Sequence, residues 1–314
     1  MLKSRSIIFR GHSSIRSIRR PYGTSNVAKN WKLILGYTVF TTTFTGAALV
    51  VTAVGEYELV RRQRGFMNNP MNSYRRKMWL GPPGQEEFKL RERMGDWFRS
   101  LVPTQTAFLV IIAVNIGILL AWKRAVYNRE LSNKMFKWFT LRNSSKPITL
   151  LTSTFSHSSA LHLFINMYCL WTFLPTMDSS YGLIRTLAIF FTGCVCSSYV
   201  NVLYKLIRGS TIPSVGASGG ILAVVTAMAE IFPDIRLTFI IPVVAFDAST
   251  GVIGITALSV CGIIFKKILP SIDHVAHLAG IAYGYVWHRY IHTFYVTHSK
   301  TVKSKWRQFR ERKY

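Results

Sequence analysis

The sequence predicts an all-α polytopic membrane protein, a compact set of six helices preceded by one separate N-terminal transmembrane helix in a 1+6 arrangement. Three observations predict it. Only 17% of the 314 residues are charged while 49% are hydrophobic, against about a quarter charged in soluble domains. Seven apolar segments recur along the chain, on the scale of the roughly 20 residues that cross a hydrocarbon core as a helix. The net charge of +26 is concentrated in stretches that flank those segments, as membrane topology selects.

The same observations exclude other classes. With 20 Phe, 14 Tyr and 8 Trp the chain is too rich in core-forming residues for a disordered basic protein. Its basic excess flanks apolar runs instead of forming one patch, so no nucleic-acid partner is expected. Cys169, Cys194, Cys196 and Cys261 lie inside apolar runs and read as small hydrophobes, with no disulfide framework or zinc site.

Taken in order, residues 1–28 are rich in Arg and Ser and no acidic residue precedes Glu56, the composition of a mitochondrial transit peptide. Residues 29–55 form the anchor, apolar over about 33–55. Residues 56–103 read as a polar linker with Pro70, Gly81, Pro82 and Pro83. The core, 104–292, holds apolar segments at about 104–122, 158–177, 183–205, 218–232, 250–268 and 272–291. Residues 293–314 read as a basic tail. The lipid bilayer is thus the first partner.

Polar residues inside such spans usually face a protein interior or a water-filled cavity. Here they cluster on three spans: His162 and Asn166, one helical turn apart, with His157 just ahead of them; Ser218 within Gly216-Ala217-Ser218-Gly219-Gly220; and Asp273, His274 and His277 ahead of Gly280 and Gly284. Alternating spans put the starts of the second, fourth and sixth core helices on one side of the membrane, so the three clusters meet there. From Ser218 to Glu230 is 12 residues, about 18 Å of helix. With Glu230 at the far interface, Ser218 starts its helix inside the bilayer. Non-helical backbone at that depth is tolerated only against protein or water.

A serine hydroxyl needs a neighbouring base to become a nucleophile, and His277 is the neutral-pH base placed to supply one. The helix start at Ser218 offers free N–H groups to a developing oxyanion, with His162 and Asn166 as side-chain donors. Taken singly, each motif has a plainer reading. The Gly-Ala-Ser-Gly string and the Gly280/Gly284 pair are common helix-packing motifs, and His162 with Asn166 could be interhelical hydrogen-bond glue. Asp273 and His274 read as solvated residues near the interface. The constellation favours chemistry.

The segments from His157 through His162 to Asn166, Gly216-Ala217-Ser218-Gly219, and Ala276-His277-Leu278-Ala279-Gly280 with Gly284 together resemble the rhomboid intramembrane serine proteases. The extra N-terminal span and transit-like leader resemble the mitochondrial, presenilin-associated rhomboid-like branch. The resemblance covers about 104–292. It implies a six-helix rhomboid core, a dyad of Ser218 as nucleophile and His277 as general base, and an oxyanion hole of His162, Asn166 and the Ser218 N–H. It implies no metal and no cofactor, and substrates that are single-pass inner-membrane proteins cut in or near their transmembrane segment. For the mitochondrial branch these include the dynamin-like GTPase of inner-membrane fusion. Two features depart from the family pattern. The stretch Lys146–His157 lacks a Trp-Arg pair, and Leu222 stands four residues after the nucleophile where many bacterial members have Tyr.

Parity puts the catalytic mouth on the side of the N-terminus. The basic loop 123–146 makes that side the matrix, with the C-terminus in the intermembrane space. Two other classes remain open: a catalytically silent scaffold that binds membrane clients, and a metal-dependent hydrolase with His157, His162, His274 and His277 as zinc ligands.

Overall fold

The computed structural model describes residues 30–67, 103–238, 245–265 and 272–312. The transit segment 1–28, most of the linker and residues 266–271 lie outside them. A helix occupies each predicted apolar segment: α1 (Trp31–Met67), α2 (Pro103–Ala125), α5 (Ala160–Tyr181), α6 (Leu183–Arg208), α7 (Ser218–Ile231), α8 (Ala248–Phe265) and α9 (His274–Val286). The loop between α2 and α5 carries α3 (Arg129–Trp138) and the single turn α4 (Thr149–Thr152). Among the described residues α1, α2, α6 and α8 are long and apolar enough to cross a membrane, and α7 is shorter but apolar. The architecture is that of an all-α polytopic membrane protein.

Helix α7 is the hub. Every residue from Gly219 to Ala229 is buried, packed against both α6 and α9, which also pack on each other. Lipid tails are as apolar as Leu, so hydrophobicity alone gives these helices no reason to associate, and close van der Waals approach has to supply it. At Gly280 backbone meets backbone. A Cβ there would collide with the Gly219 carbonyl oxygen and lie 3.0 Å from the Gly219 Cα. Specific hydrogen bonds supplement packing, as where Tyr283 on α9 donates to Thr192 on α6 at 2.7 Å.

Three features depart from the expected layout. Helix α1 does not stop at Gly55 but runs through Glu56–Met67, the first part of the predicted linker. A two-stranded antiparallel ribbon, β1 (Arg236–Thr238) with β2 (Ala245–Asp247), sits between α7 and α8 and pairs Arg236 with Asp247. The predicted tail is helical. A π-helical turn, Trp287–Ile291, joins α9 to α10 (His292–Glu311), which packs against α1. Glu56 joins the two ends of the chain, receiving Arg185 Nε at 2.8 Å and Lys303 Nζ at 2.7 Å. Glu58 accepts from Trp306 Nε1 at 2.9 Å and pairs with Arg310. The far end of α1, the start of α6 and α10 therefore share one side, as alternating spans require.

Candidate active site

Ser218 is the first residue of α7, and no side chain caps that helix start, so its first N–H groups face whatever occupies the site. His277 lies one turn into α9, its N–H bonded to the Asp273 carbonyl at 3.1 Å. The close packing of α7 on α9 sets Ser218 Oγ 2.8 Å from His277 Nε2. That is hydrogen-bond reach for a nucleophile and its base.

Helix α5 reaches the same place. Ser159 caps it, accepting from the His162 N–H at 3.1 Å. Ser158 Oγ sits 3.1 Å from His162 Nδ1. The other edge of the ring lies over Gly216. A Cβ at that position would be 2.9 Å from His162 Cε1 and 3.1 Å from Nε2, and Gly216 has φ +127°. Only glycine readily combines that backbone angle with a ring so close. His162 thus borders the loop that delivers Ser218. Asn166, buried, donates Nδ2 to the His162 carbonyl at 2.8 Å. It lies one turn deeper and spends that donor within its own helix. His157 is fully buried, edge-on to His162 with ring centroids 5.0 Å apart.

Asp273 and His274 are not the solvated interfacial residues expected. His274 is 7% exposed and packs its ring on Gly262 of α8. Asp273 accepts from Asn201 Nδ2 at 2.7 Å and from the Ser214 hydroxyl, and Lys205 Nζ lies 3.9 Å away. Lys205 also donates to the Ile212 carbonyl at 2.8 Å. The loop before Ser218 is held at further points, through a backbone pair between Leu141 and Ser214 and a 3.0 Å bond from the Gly216 N–H to the Ser153 carbonyl.

Sequence reasoning missed Asn201, Ser214 and Ser158. Asn201, deep in an apolar span and four residues before Lys205, carried the signal of a functional polar residue in a membrane helix. Among the described residues no group of three or more His, Cys, Asp or Glu side chains could hold a metal, so the four histidines do not assemble a ligand set.

Residues 144–294 match the rhomboid domain family model. The chain is 30% identical over 268 residues to presenilin-associated rhomboid-like protein A, mitochondrial, of Danio rerio, covering 80% of this chain and 68% of that protein. It is 30% identical to the Rattus norvegicus presenilin-associated rhomboid-like protein, over 86% of this chain and 70% of that one. Rhomboid protein 1, mitochondrial, of Saccharomyces cerevisiae is 28% identical over 58% of this chain and 52% of its own length. A multi-pass mitochondrial membrane chain with these matches and these three converging helix starts belongs to the rhomboid family, in its presenilin-associated rhomboid-like branch.

Proposed function

We propose that this chain is an intramembrane serine endopeptidase of the mitochondrial inner membrane that cuts single-pass membrane proteins in or near their transmembrane segment. The 2.8 Å contact between Ser218 Oγ and His277 Nε2 carries the reading. His277 takes the hydroxyl proton as Ser218 Oγ attacks the scissile carbonyl, and returns it to the leaving amine as the peptide C–N bond breaks. Water then cleaves the acyl ester by the reverse sequence. The oxyanion is met by the N–H groups at the start of α7 and by His162. In the tautomer where Nδ1 accepts from the Ser158 hydroxyl 3.1 Å away, Nε2 is the protonated nitrogen and the donor. Asn166, one turn away, turns its amide to the oxyanion once substrate is present. The dyad needs neither metal nor cofactor.

The substrate class follows from the bilayer. A site started by a helix of 14 residues, about 21 Å long, opens below the membrane surface, where a transmembrane segment supplies the peptide bond. The family resemblance supplies one candidate, the dynamin-like GTPase of inner-membrane fusion.

The test is cleavage of a tagged single-pass substrate by purified protein in liposomes, with wild type compared to Ser218→Ala and both repeated with a strong chelator. Cleavage that survives the chelator and is lost with Ser218→Ala is expected. Cleavage by Ser218→Ala, or cleavage lost only with the chelator, would overturn the assignment, and a fluorophosphonate probe labelling Ser218 distinguishes an unsuited substrate from a silent scaffold.

A further inference from the structure

A cavity of about 350 Å³ opens between α3 and the segment that follows it, on the mouth side of the molecule and outside the dyad. Lys137, Arg142 and Lys146 line it together with Asn133 and Ser144. Three cations thus face one space, and no carboxylate lines it. Glu130, the acidic residue of α3, pairs instead with Lys134 at 2.6 Å.

The cations are held by rings. Arg142 Cζ lies 4.8 Å from the Phe136 centroid, and Lys146 Nζ and Lys137 Nζ lie 4.3 and 5.7 Å from that of Trp138. Such contacts orient a cation without neutralising it. The Arg142 Nε is buried with no hydrogen-bond partner among the described residues, an arrangement that costs free energy unless a ligand completes it. Burial also holds the Arg142 guanidinium below its usual pKa, as expected where no anion stands beside it.

The surroundings fix the depth. Tyr37, six residues into α1, donates to the Ser145 carbonyl of the cavity wall at 2.6 Å. Trp31 and Trp138 are 57% and 38% exposed at the level where aromatic residues gather on membrane interfaces. An uncompensated cationic cavity there faces lipid headgroups, whose phosphates suit Arg and Lys donors.

We infer that Lys137, Arg142 and Lys146 form a binding site for a phosphate group, presented by the headgroup of an anionic phospholipid. Free phosphate has the same chemistry but lacks the acyl chains that would hold it at this depth.

The test is native mass spectrometry of the full chain in detergent, titrated with phosphatidylglycerol and, separately, with phosphatidylcholine of the same acyl chains. Retention of phosphatidylglycerol about ten-fold above phosphatidylcholine is expected. In Arg142→Gln/Lys146→Gln the preference should fall about five-fold or more, while Lys305→Gln, an exposed charge elsewhere, leaves it intact. Lys137→Gln, at an exposed position, reads the same site if the double variant fails to fold. Equal retention of the two lipids, or a preference unmoved by these substitutions, overturns the site. Displacement of phosphatidylglycerol by an equal concentration of glycerol phosphate overturns the lipid assignment.

Discussion

Asn201 of α6 donates a 2.7 Å hydrogen bond to the carboxylate of Asp273, the residue from which α9 starts. The same carboxylate takes the Ser214 hydroxyl, so one acid sets the start of the helix that carries His277 and the loop that delivers Ser218. Asp273 is a positioning residue: it touches neither atom of the dyad. Asp273→Ala should lower kcat about 10- to 100-fold with little change in KM, since displacing a catalytic group by about 1 Å has costs on that scale. Asn201, 2% exposed, would lose its charged acceptor and keep only the Ser214 hydroxyl at 3.1 Å, with a loss of about 1 kcal/mol of stability. Asp273→Asn, keeping one acceptor oxygen, should recover part of both, measured by steady-state cleavage and thermal unfolding in detergent.

For the dyad itself, Ser218→Ala and His277→Ala should each abolish measurable turnover, and the double variant should be no worse than either, because the two act as one unit. His162→Ala should retain activity reduced about 10²- to 10³-fold, the usual cost of removing one oxyanion donor. An additive double mutant would argue that the residues act separately.

Two alanine substitutions separate packing from propensity. Gly280→Ala places a Cβ on the Gly219 carbonyl, whereas Gly254 on α8 has no neighbour within 4 Å of its Cβ position. Gly280→Ala should destabilise by about 1–3 kcal/mol and impair cleavage by parting α7 from α9. Gly254→Ala should leave cleavage unchanged and raise stability by up to about 1 kcal/mol.

The junction of the chain ends predicts a charge effect. Glu56→Ala leaves Arg185 and Lys303 facing each other without their shared acceptor and should cost about 1.5–3 kcal/mol, read as a lower unfolding temperature. Ser218 lies toward the opposite end of the helix bundle, so labelling of Ser218 by a fluorophosphonate probe at low temperature should persist.

His292 adds a pH dependence. Its Nε2 lies 3.3 Å from Arg185 Nη1, and burial, then Arg185 and His288, lower its pKa against the opposing pull of Glu56. The folded state therefore binds the proton more weakly than the unfolded chain, and stability is lost as pH falls through about 6.5, the ordinary histidine value. Unfolding followed between pH 8 and 5.5 should show a decline that His292→Ala flattens.

The apolar segments and the three polar clusters were legible because each is a local signal, and alternating direction alone brought the clusters to one side. Ser218, His277 and His162 were placed by that logic. The partners of Asp273 were not legible, since Asn201 and Ser214 are 72 and 59 residues away in sequence and a carboxylate at a helix start looks the same whether solvated or clamped. Helix α10 was hidden by its basic residues, which mask a sparse face of Tyr295, Ser299, Lys303 and Trp306 whose partners include Arg185 of α6 and Glu56 and Glu58 of α1. The extension of α1 past Gly55 was hidden likewise, because Glu56 and Glu58 read as the end of a span until their partners near the other terminus are known.

That last junction fixes an order of events. Lys303 and Arg310 lie about 250 residues after the glutamates they meet, so this fastening of α1 can form only once α10 has been made, whereas Tyr37 with Ser145 and Glu56 with Arg185 can hold α1 earlier. Until then α1 rests on α6 and the loop before α5 alone, and disrupting α10 returns it to that condition while leaving the dyad's own helices complete.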